Sequence, residues 1–200
     1  MSKKFAAALE GLNSTILLPF SEKVKKKTRS RFMENLQGKM IHRSKTPNGE
    51  LKILAHKGYY VALAGEHFQT DEPETIHWIN TYIKENDVMW DIGANIGLYS
   101  MYAAQNSKAN VYAFEPFGLN YGVMVEHLFI NGLDSQVRPY CIALGEETKL
   151  ETLNLKGFEA GGALNAVGEA KNQFGSFTPV TKQATLLITP EDFCKIFNAP

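Results

Sequence analysis

The sequence predicts an α/β fold, in which a mostly parallel sheet carries helices on both faces, on the basis of two observations. Short apolar runs at residues 88–92, 110–114 and 137–144 have the length of buried strands, and stretches with helical spacing separate them. The first two runs end in or beside an acidic residue, Asp91 and Glu115. Because ligands bind at the carboxyl ends of parallel strands, both acids are candidate binding residues.

The composition is that of a folded globular domain. The 200 residues are 44% hydrophobic and 21% charged, far from the range of disordered chains. The net charge of zero hides an asymmetry, since residues 1–60 hold thirteen Lys or Arg against four Asp or Glu. We therefore expect a basic helical amino-terminal extension over residues 1–50 and the main domain over residues 51–200. Cys141 and Cys194 are expected to be buried, reduced thiols, which favours a cytoplasmic location.

The extension carries a cluster of basic residues on a predicted helix. Such a cluster suits an anionic membrane surface or an acidic partner, although most runs of this kind are a solvated helix face. No nucleic-acid partner is expected, because aromatic residues for base stacking are not interleaved with the basic ones. The apolar run at residues 16–20 is shorter than the roughly 20 residues that span a bilayer. The cluster comprises Lys23, Lys25, Lys26, Lys27, Arg29 and Arg31.

Two elements are predicted between the extension and the first strand. Residues 51–63 show short apolar runs around Gly58, which predict a hairpin beside the main sheet. Residues 71–83 begin with acids and Pro73 and continue with apolar residues at helical spacing. They predict an amphipathic helix that leads into the first strand.

The first strand and the residues after it predict a binding loop. Residues 88–92 are apolar apart from Asp91, and we expect them to be buried on both faces, as in a parallel sheet covered by helices. Gly93 permits a sharp bend, and Asn95 tolerates a left-handed backbone better than most residues. Gly97 then opens a helix, whose first N–H groups favour an anionic group.

The second strand, residues 110–114, leads directly into Glu115 and Pro116. A carboxylate at the tip of the strand next to the first one can accept hydrogen bonds from both hydroxyls of a ribose. Pro116 fixes φ and lacks an N–H, so the strand is expected to stop there. These residues predict a bound nucleoside.

The spacing of the loop favours S-adenosylmethionine over a dinucleotide. The Gly-x-Gly-x-x-Gly fingerprint needs a third glycine where Leu98 stands, and Asn95 would obstruct the close approach of a pyrophosphate. S-adenosylmethionine instead offers an ammonium for Asp91, a carboxylate for backbone N–H groups and a ribose for Glu115.

Residues 88–100, residues 113–116, Asn120 and the Asn131-Gly132 pair resemble the FkbM-type S-adenosylmethionine-dependent methyltransferases. The resemblance is close over residues 88–145. It implies a Rossmann-like methyltransferase fold, in which the loop holds the methionine part of the cofactor and the acid of the Glu-Pro pair holds the ribose.

Backbone after Ile142 would border the adenine in such a site. No metal-binding residues are expected, since the histidines lack the spacing of a helical metal site. His127 lies on the wrong side of the sheet edge for an obvious catalytic role. The cofactor-binding residues predicted in this way are Asp91, Gly93, Ala94, Asn95, Gly97, Glu115, Pro116 and Ile142.

The rest of the chain predicts further elements of the same domain. Residues 119–130 have helical spacing, and Pro139 is tolerable in the third strand if that strand lies at a sheet edge. Residues 150–155 predict a hairpin arm, and the glycine-rich residues 157–175 predict a flexible loop that covers a substrate or is disordered. Residues 180–188 predict another strand, and a helix is expected from about Pro190. The sequence alone assigns no catalytic residue.

The family pattern continues beyond this point into a strand with an acidic motif, whereas the chain ends at Pro200. We therefore expect the carboxy-terminal strands of the fold to be missing and the chain to be the front part of a longer methyltransferase. The resemblance implies a sugar or other small hydroxyl-bearing acceptor. Two alternatives remain open: a non-catalytic remnant that acts as an interaction module, and, less favoured, an NAD-dependent oxidoreductase.

Overall fold

A computed structural model describes residues 21–199 of the chain, together with Gly11 and Thr15. The apolar run at residues 16–20 lies outside the described residues. The chain divides into two compact units, Met1–Met40 and Ile41–Pro200. In the first unit, the predicted basic helix is present as α1, Glu22–Lys39.

The second unit begins with a hairpin of two antiparallel strands, β1 (Ile41–Thr46) and β2 (Gly49–Leu54). The hairpin predicted at residues 51–63 is therefore wrong. The chain turns at Pro47 and Asn48, and Gly49 begins β2 with a φ of 138°. Proline, asparagine and glycine are all typical turn residues. The predicted boundary between the extension and the main domain, at residue 50, falls within β2. Most of β2 therefore pairs with a strand on the other side of that boundary.

Helices follow the hairpin. A short 3₁₀ helix, Ala55–Lys57, leads into α2, Tyr59–Asp71. Val61, Gly65 and Phe68 recur at helical spacing and are the buried positions of α2, which explains why this stretch is not a strand. The predicted amphipathic helix is confirmed as α3, Pro73–Tyr82.

The predicted parallel sheet is present with three strands in the order β3-β4-β5. These are β3 (Val88–Ile92), β4 (Asn110–Phe114) and β5 (Val137–Tyr140). The connecting helices are α4 (Leu98–Ser107) and α5 (Gly118–Asn131). Pro139 lies in the edge strand β5, as predicted.

The expectation that β3 is buried on both faces is wrong. Val88 is 42% exposed and Ile92 is 64% exposed. The reason is that β3 pairs only with β4 among the described strands, so its other edge and its two ends lie outside the core.

Helices cover both faces of the parallel sheet. Alternate side chains of β4 point to opposite faces and therefore lie in two different cores. Val111 and Ala113 lie in the larger core with residues of α4 and α5. Tyr112 and Phe114 lie in a second core with Phe193, which belongs to α6, Pro190–Phe197. The α/β class with helices on both faces is thus confirmed.

A second, mixed sheet follows the parallel one, in the order β6-β11-β7-β8. Its strands are β6 (Ala143–Leu144), β7 (Lys149–Leu155), β8 (Ala166–Val167) and β11 (Thr181–Ile188). β11 pairs parallel to β6 and antiparallel to β7. Parallel pairing is therefore limited to β3, β4 and β5 and to the pair of β6 with β11.

Residues 157–175 contain more structure than the predicted flexible loop. They hold β8, the strand β9 (Lys171–Asn172) and the start of β10 (Gly175–Ser176), and β9 and β10 form a small hairpin. Asn154 of β7 anchors this stretch, because its amide donates to the carbonyl of Gly168 at 2.7 Å.

The thiol of Cys141 is exposed, so the expectation that both cysteines are buried is wrong for this one, which follows β5 at the sheet edge. Among the described residues, none of the helices combines the length and the apolar character needed to cross a bilayer.

Candidate functional site

The loop at residues 93–97 is held against the tip of β4 by its own backbone. The N–H groups of Gly93 and Ala94 both donate to the carbonyl of Phe114, each at 2.9 Å. Gly93, Asn95 and Gly97 have φ angles of 82°, 52° and 82°, so the loop depends on three left-handed residues of a kind that tolerates this backbone.

Gly97 is required by packing as well as by its backbone. A Cβ at this position would lie 2.7 Å from Cγ of Met124 on α5. The absence of a side chain thus lets the start of α4 contact α5 closely. Gly93 differs, since a Cβ there would meet nothing within 4 Å, and space remains open beside it.

Glu115 lies at the tip of β4 with its carboxylate turned towards the loop. Oε2 accepts the N–H of Asn95 at 2.8 Å, and Oε1 accepts the N–H of Phe117 at 2.9 Å. The residue is 6% exposed. Burial raises the pKa of Glu115, and the backbone hydrogen bonds from Phe117 and Asn95 act in the opposite direction.

Asp91 lies on the neighbouring strand and binds Ser100 in the first turn of α4. Its Oδ2 accepts the hydroxyl of Ser100 at 2.5 Å. Burial raises the pKa of Asp91, and hydrogen bonds from the side chain and backbone of Ser100 lower it. The anionic group at the start of this helix is thus a side chain of the chain itself.

A segment far along the chain closes over the loop. The side-chain amide of Asn95 donates to the carbonyl of Gly161 at 3.2 Å. Asn120 accepts the N–H of Gly161 at 2.8 Å and donates to the carbonyl of Gly162 at 3.0 Å. Oδ1 of Asn95 is buried and has no hydrogen-bond partner, which identifies an acceptor available to a bound group.

Gly161 fits tightly where it lies. Its φ is +80°, and a Cβ would approach the backbone N of Val61 at 2.9 Å. The segment of residues 157–164, which we call the covering segment, therefore lies between the start of α2 and the loop.

The remaining predicted residues lie around Glu115. The carbonyl of Pro116 accepts the amide of Gln183 at 2.6 Å, which ties the site to the mixed sheet. Ile142 is half-buried and packs against the core that contains Phe193. Its side chain thus contributes to packing, in the connection between β5 and β6.

His127 is buried and forms two hydrogen bonds. Its Nε2 accepts the N–H of Leu54 at 3.0 Å, and Nδ1 lies 2.9 Å from the carbonyl of Ile96. A neutral ring with the proton on Nδ1 satisfies both partners. Burial lowers the pKa of His127, and the residue joins the hairpin to the 93–97 loop.

Sequence reasoning did not identify Ser100 or Gln183 as parts of the site, and it predicted the glycines of the covering segment as part of a loop that covers a substrate or is disordered. Ser100 stands within the motif quoted above, one helical turn into α4, which is a detectable signal for a residue that bonds to Asp91. Gln183 and Gly161 carry no comparable signal, because their partners are distant in the sequence.

A cavity of about 540 Å³ lies beside the site. Residues 57–59, the first turns of α5 and residues 158–160 form its walls, and the ion pair of Lys57 with Glu126 borders it. Neither Asp91 nor Glu115 lines this cavity. The covering segment separates the cavity from the loop.

No family model matches the chain. Among curated proteins, a 45-residue stretch is 42% identical to the hexuronic acid methyltransferase AglP of Haloferax volcanii. That stretch covers 22% of this chain and 18% of the relative, so the chain spans a small part of the length of that protein.

Several solved structures are similar to parts of this chain. TYW2 of P. horikoshii in complex with MeSAdo has a TM-score of 0.40 and 18% identity, over 52% of this chain and 36% of that one. TYW2 of M. jannaschii in complex with AdoMet has a TM-score of 0.37 and 24% identity, over 50% and 42%. A SAM-dependent methyltransferase from Geobacter sulfurreducens in complex with S-adenosyl-L-homocysteine has a TM-score of 0.32 and 11% identity, over 36% and 28%.

Proposed function

We propose for this chain the function of an S-adenosylmethionine-dependent methyltransferase of the FkbM type, which methylates a hydroxyl group of a small acceptor such as a saccharide. The observation that carries the proposal is the placement of two carboxylates, Asp91 and Glu115, around one left-handed loop. They end neighbouring parallel strands, since Asp91 pairs in register with Ala113 of β4. The stretch shared with a hexuronic acid methyltransferase also supports it.

Glu115 would hold the ribose. Each oxygen of its carboxylate accepts one backbone N–H, and a carboxylate has room for about four hydrogen bonds. Two hydroxyls on neighbouring ribose carbons can therefore occupy the remaining positions. The backbone N–H groups that already bind Glu115 hold its carboxylate in one orientation, so the remaining acceptor positions point in fixed directions.

Asp91 would hold the ammonium of the amino-acid part. The carboxylate is already oriented by Ser100, and its burial strengthens its attraction for a positive charge. Gly93 follows Asp91 by two residues. The open space beside it would admit the part of the cofactor that joins the amino-acid group to the ribose. The unpartnered Oδ1 of Asn95 would accept a further hydrogen bond there.

When bound, S-adenosylmethionine supplies a methyl group on a positively charged sulfur. The chain contributes mainly by holding the cofactor in one orientation, since alignment of the reacting atoms accounts for a large part of such a barrier. Loss of the hydroxyl proton needs a base, and we assign that role to none of the described residues.

The covering segment would open to admit the cofactor to the site. Asn95 and Asn120 tie Gly161 and Gly162 over the loop, so these bonds must break or rearrange when a nucleoside enters. A segment with three such bonds can open at a modest cost, because each neutral hydrogen bond is worth about 1 kcal/mol net.

Calorimetric titration of the chain with S-adenosylhomocysteine and, separately, with NAD tests the proposal. We expect binding of S-adenosylhomocysteine with a Kd of about 1 μM, near −8 kcal/mol, and no binding of NAD. Glu115→Gln should weaken binding at least about tenfold, while Glu147→Gln on the exposed β6–β7 connection should leave it unchanged.

Tighter binding of NAD would overturn the proposal in favour of an oxidoreductase. Failure to bind either compound by a folded chain would favour an interaction module. If the chain binds S-adenosylhomocysteine, transfer of radioactive methyl groups from S-adenosylmethionine to neutral and acidic saccharides identifies the acceptor class.

A further inference from the structure

The helix α1 exposes an apolar stripe along its second half. Phe32, Met33 and Leu36 are 53%, 51% and 41% exposed, and Met40 at its carboxyl end is 44% exposed. At 100° per residue, these four side chains fall within roughly 100° of the helix circumference. None of the residues of α1 is buried.

Basic side chains dominate residues 23–31 of the same helix. Lys25 pairs with Glu22 at 2.6 Å. The other basic residues of this stretch form no ion pair within the described part of the chain. They are Lys23, Lys26, Lys27, Arg29 and Arg31.

The two features together describe a helix that suits an interface between water and lipid. Its acidic residues are only Glu22 and Glu34, so its charge is strongly positive. The apolar stripe is confined to the carboxyl-terminal end of α1, because Lys25 and Arg29 lie on the same side of the helix in the preceding turns. Such a helix offers an anionic membrane surface two separate contacts, one through its positive charge and one through a short apolar stripe. The 18 residues of α1 would extend about 27 Å along such a surface.

We infer that α1 binds the surface of a bilayer that contains anionic lipids. The stripe of Phe32, Met33, Leu36 and Met40 enters the boundary between headgroups and acyl chains, and the basic residues contact lipid phosphates. This inference does not depend on the proposed methyltransferase function, because it uses only residues of the first compact unit.

The same observations favour lipid over nucleic acid. Phe32 is the only aromatic residue of α1, whereas binding of single strands uses several aromatic side chains on which bases stack. An apolar stripe also has no role in contacts with phosphates alone, which a duplex would offer.

Co-sedimentation of the 200-residue chain with vesicles tests the inference. One set of vesicles contains phosphatidylcholine alone, and the other contains equal parts of phosphatidylcholine and phosphatidylserine. We expect binding only to the anionic vesicles and a decrease in binding as salt is added.

Paired variants separate the contributions of charge and stripe. Lys26→Glu with Lys27→Glu should weaken binding at least about 25-fold, since each basic side chain near an anionic surface contributes about fivefold. The matched control, Lys84→Glu with Lys171→Glu, makes the same change of charge at exposed sites of the second unit and should have a much smaller effect.

Phe32→Ser with Leu36→Ser should weaken binding about tenfold. Its control, Phe129→Ser with Leu150→Ser, removes two exposed apolar side chains from the second unit and should leave binding unchanged. Circular dichroism with vesicles present shows whether each variant retains α1.

Three results would overturn the inference. One is the absence of binding to anionic vesicles. Another is equal binding by the chain and its Lys26 and Lys27 variant. The third is tighter binding to a short DNA duplex than to the vesicles, which would assign the basic cluster to nucleic acid.

Discussion

The side chain of Asn120 clasps the peptide of Gly161 across a long stretch of chain. Its Oδ1 accepts the N–H of Gly161 at 2.8 Å, and its amide donates to the next carbonyl, that of Gly162, at 3.0 Å. Asn120 is itself buried on the first turn of α5. This pair therefore fixes the covering segment to the helix that follows Glu115.

Asn120→Ala should loosen the covering segment. Both hydrogen bonds disappear and the N–H of Gly161 loses its acceptor, so we expect the free energy of unfolding to fall by about 1–3 kcal/mol. Hydrogen exchange should increase at residues 157–164 and remain unchanged in β4. Gln173→Ala, an exposed amide in the turn between β9 and β10, serves as the control. Equal protection of residues 157–164 in the wild type and the Asn120 variant would contradict the role of the clasp.

Gly97→Ala and Gly93→Ala form a matched pair. Both positions have φ near +82°, so both substitutions cost about 1 kcal/mol of backbone strain. Only Gly97→Ala also forces a Cβ to within 2.7 Å of Cγ of Met124, and overpacking of this kind costs a further 1–3 kcal/mol or so. Urea unfolding should rank Gly97→Ala as the less stable. Equal stability of the two variants would contradict the close contact between α4 and α5.

His127 should make stability depend on pH. Burial lowers its pKa from the ordinary value of 6.5, so the unfolded state takes up the proton first. Its contribution is fully present above pH 6.5 and is lost as the pH falls from there through the lower pKa of the folded state. Protonation of Nε2 would remove the acceptor for the N–H of Leu54.

His127→Phe keeps much of the ring volume and should remove part of this pH dependence of unfolding. His56 has a pKa lowered by burial and by Lys57, so it acts in the same direction and His56→Gln accounts for its share. If His127→Phe had the same slope as the wild type between neutral pH and about pH 5, the buried neutral ring would be refuted.

Asp91→Asn should separate stability from binding. Burial raises the pKa of Asp91, which means that the folded state takes up this proton more readily than the unfolded state. Its ionised form therefore lowers stability above that pKa, and the cost is relieved as the pH falls through it.

Asparagine removes this cost, and its side-chain oxygen can still accept the hydroxyl of Ser100. We expect a higher melting temperature at neutral pH and at least about tenfold weaker binding of S-adenosylhomocysteine. Undiminished binding by Asp91→Asn would contradict the role proposed for this carboxylate.

Local patterns predicted the centre of the fold correctly. The strands at residues 88–92 and 110–114 and the helix that begins after Gly97 each depend on residues that are neighbours in sequence. The left-handed loop was also predictable, because glycine and asparagine favour that backbone. The hairpin was misplaced, since the apolar residues after Gly58 were assigned to a strand instead of α2. The run at residues 137–144 was also predicted as one strand, whereas it divides between β5 and β6 of two different sheets.

Contacts between distant residues could not be predicted in the same way. Gly161 reaches Asn95 and Asn120 only because β7 and β11 pair and bring the intervening chain back over the site. The hydrogen bond of Gln183 to the carbonyl of Pro116 has the same origin. Such bonds follow from tertiary structure, so a glycine-rich stretch read alone predicts only a loop.

A crystal structure of the chain with S-adenosylhomocysteine tests the central claim most directly. We expect both ribose hydroxyls within hydrogen-bond distance of the Glu115 carboxylate, the ammonium at Asp91, and the bonds of Asn120 to the covering segment rearranged. The claim would be contradicted by a ligand bound elsewhere, or by crystals grown with saturating ligand in which Glu115 bonds only to the N–H groups of Asn95 and Phe117.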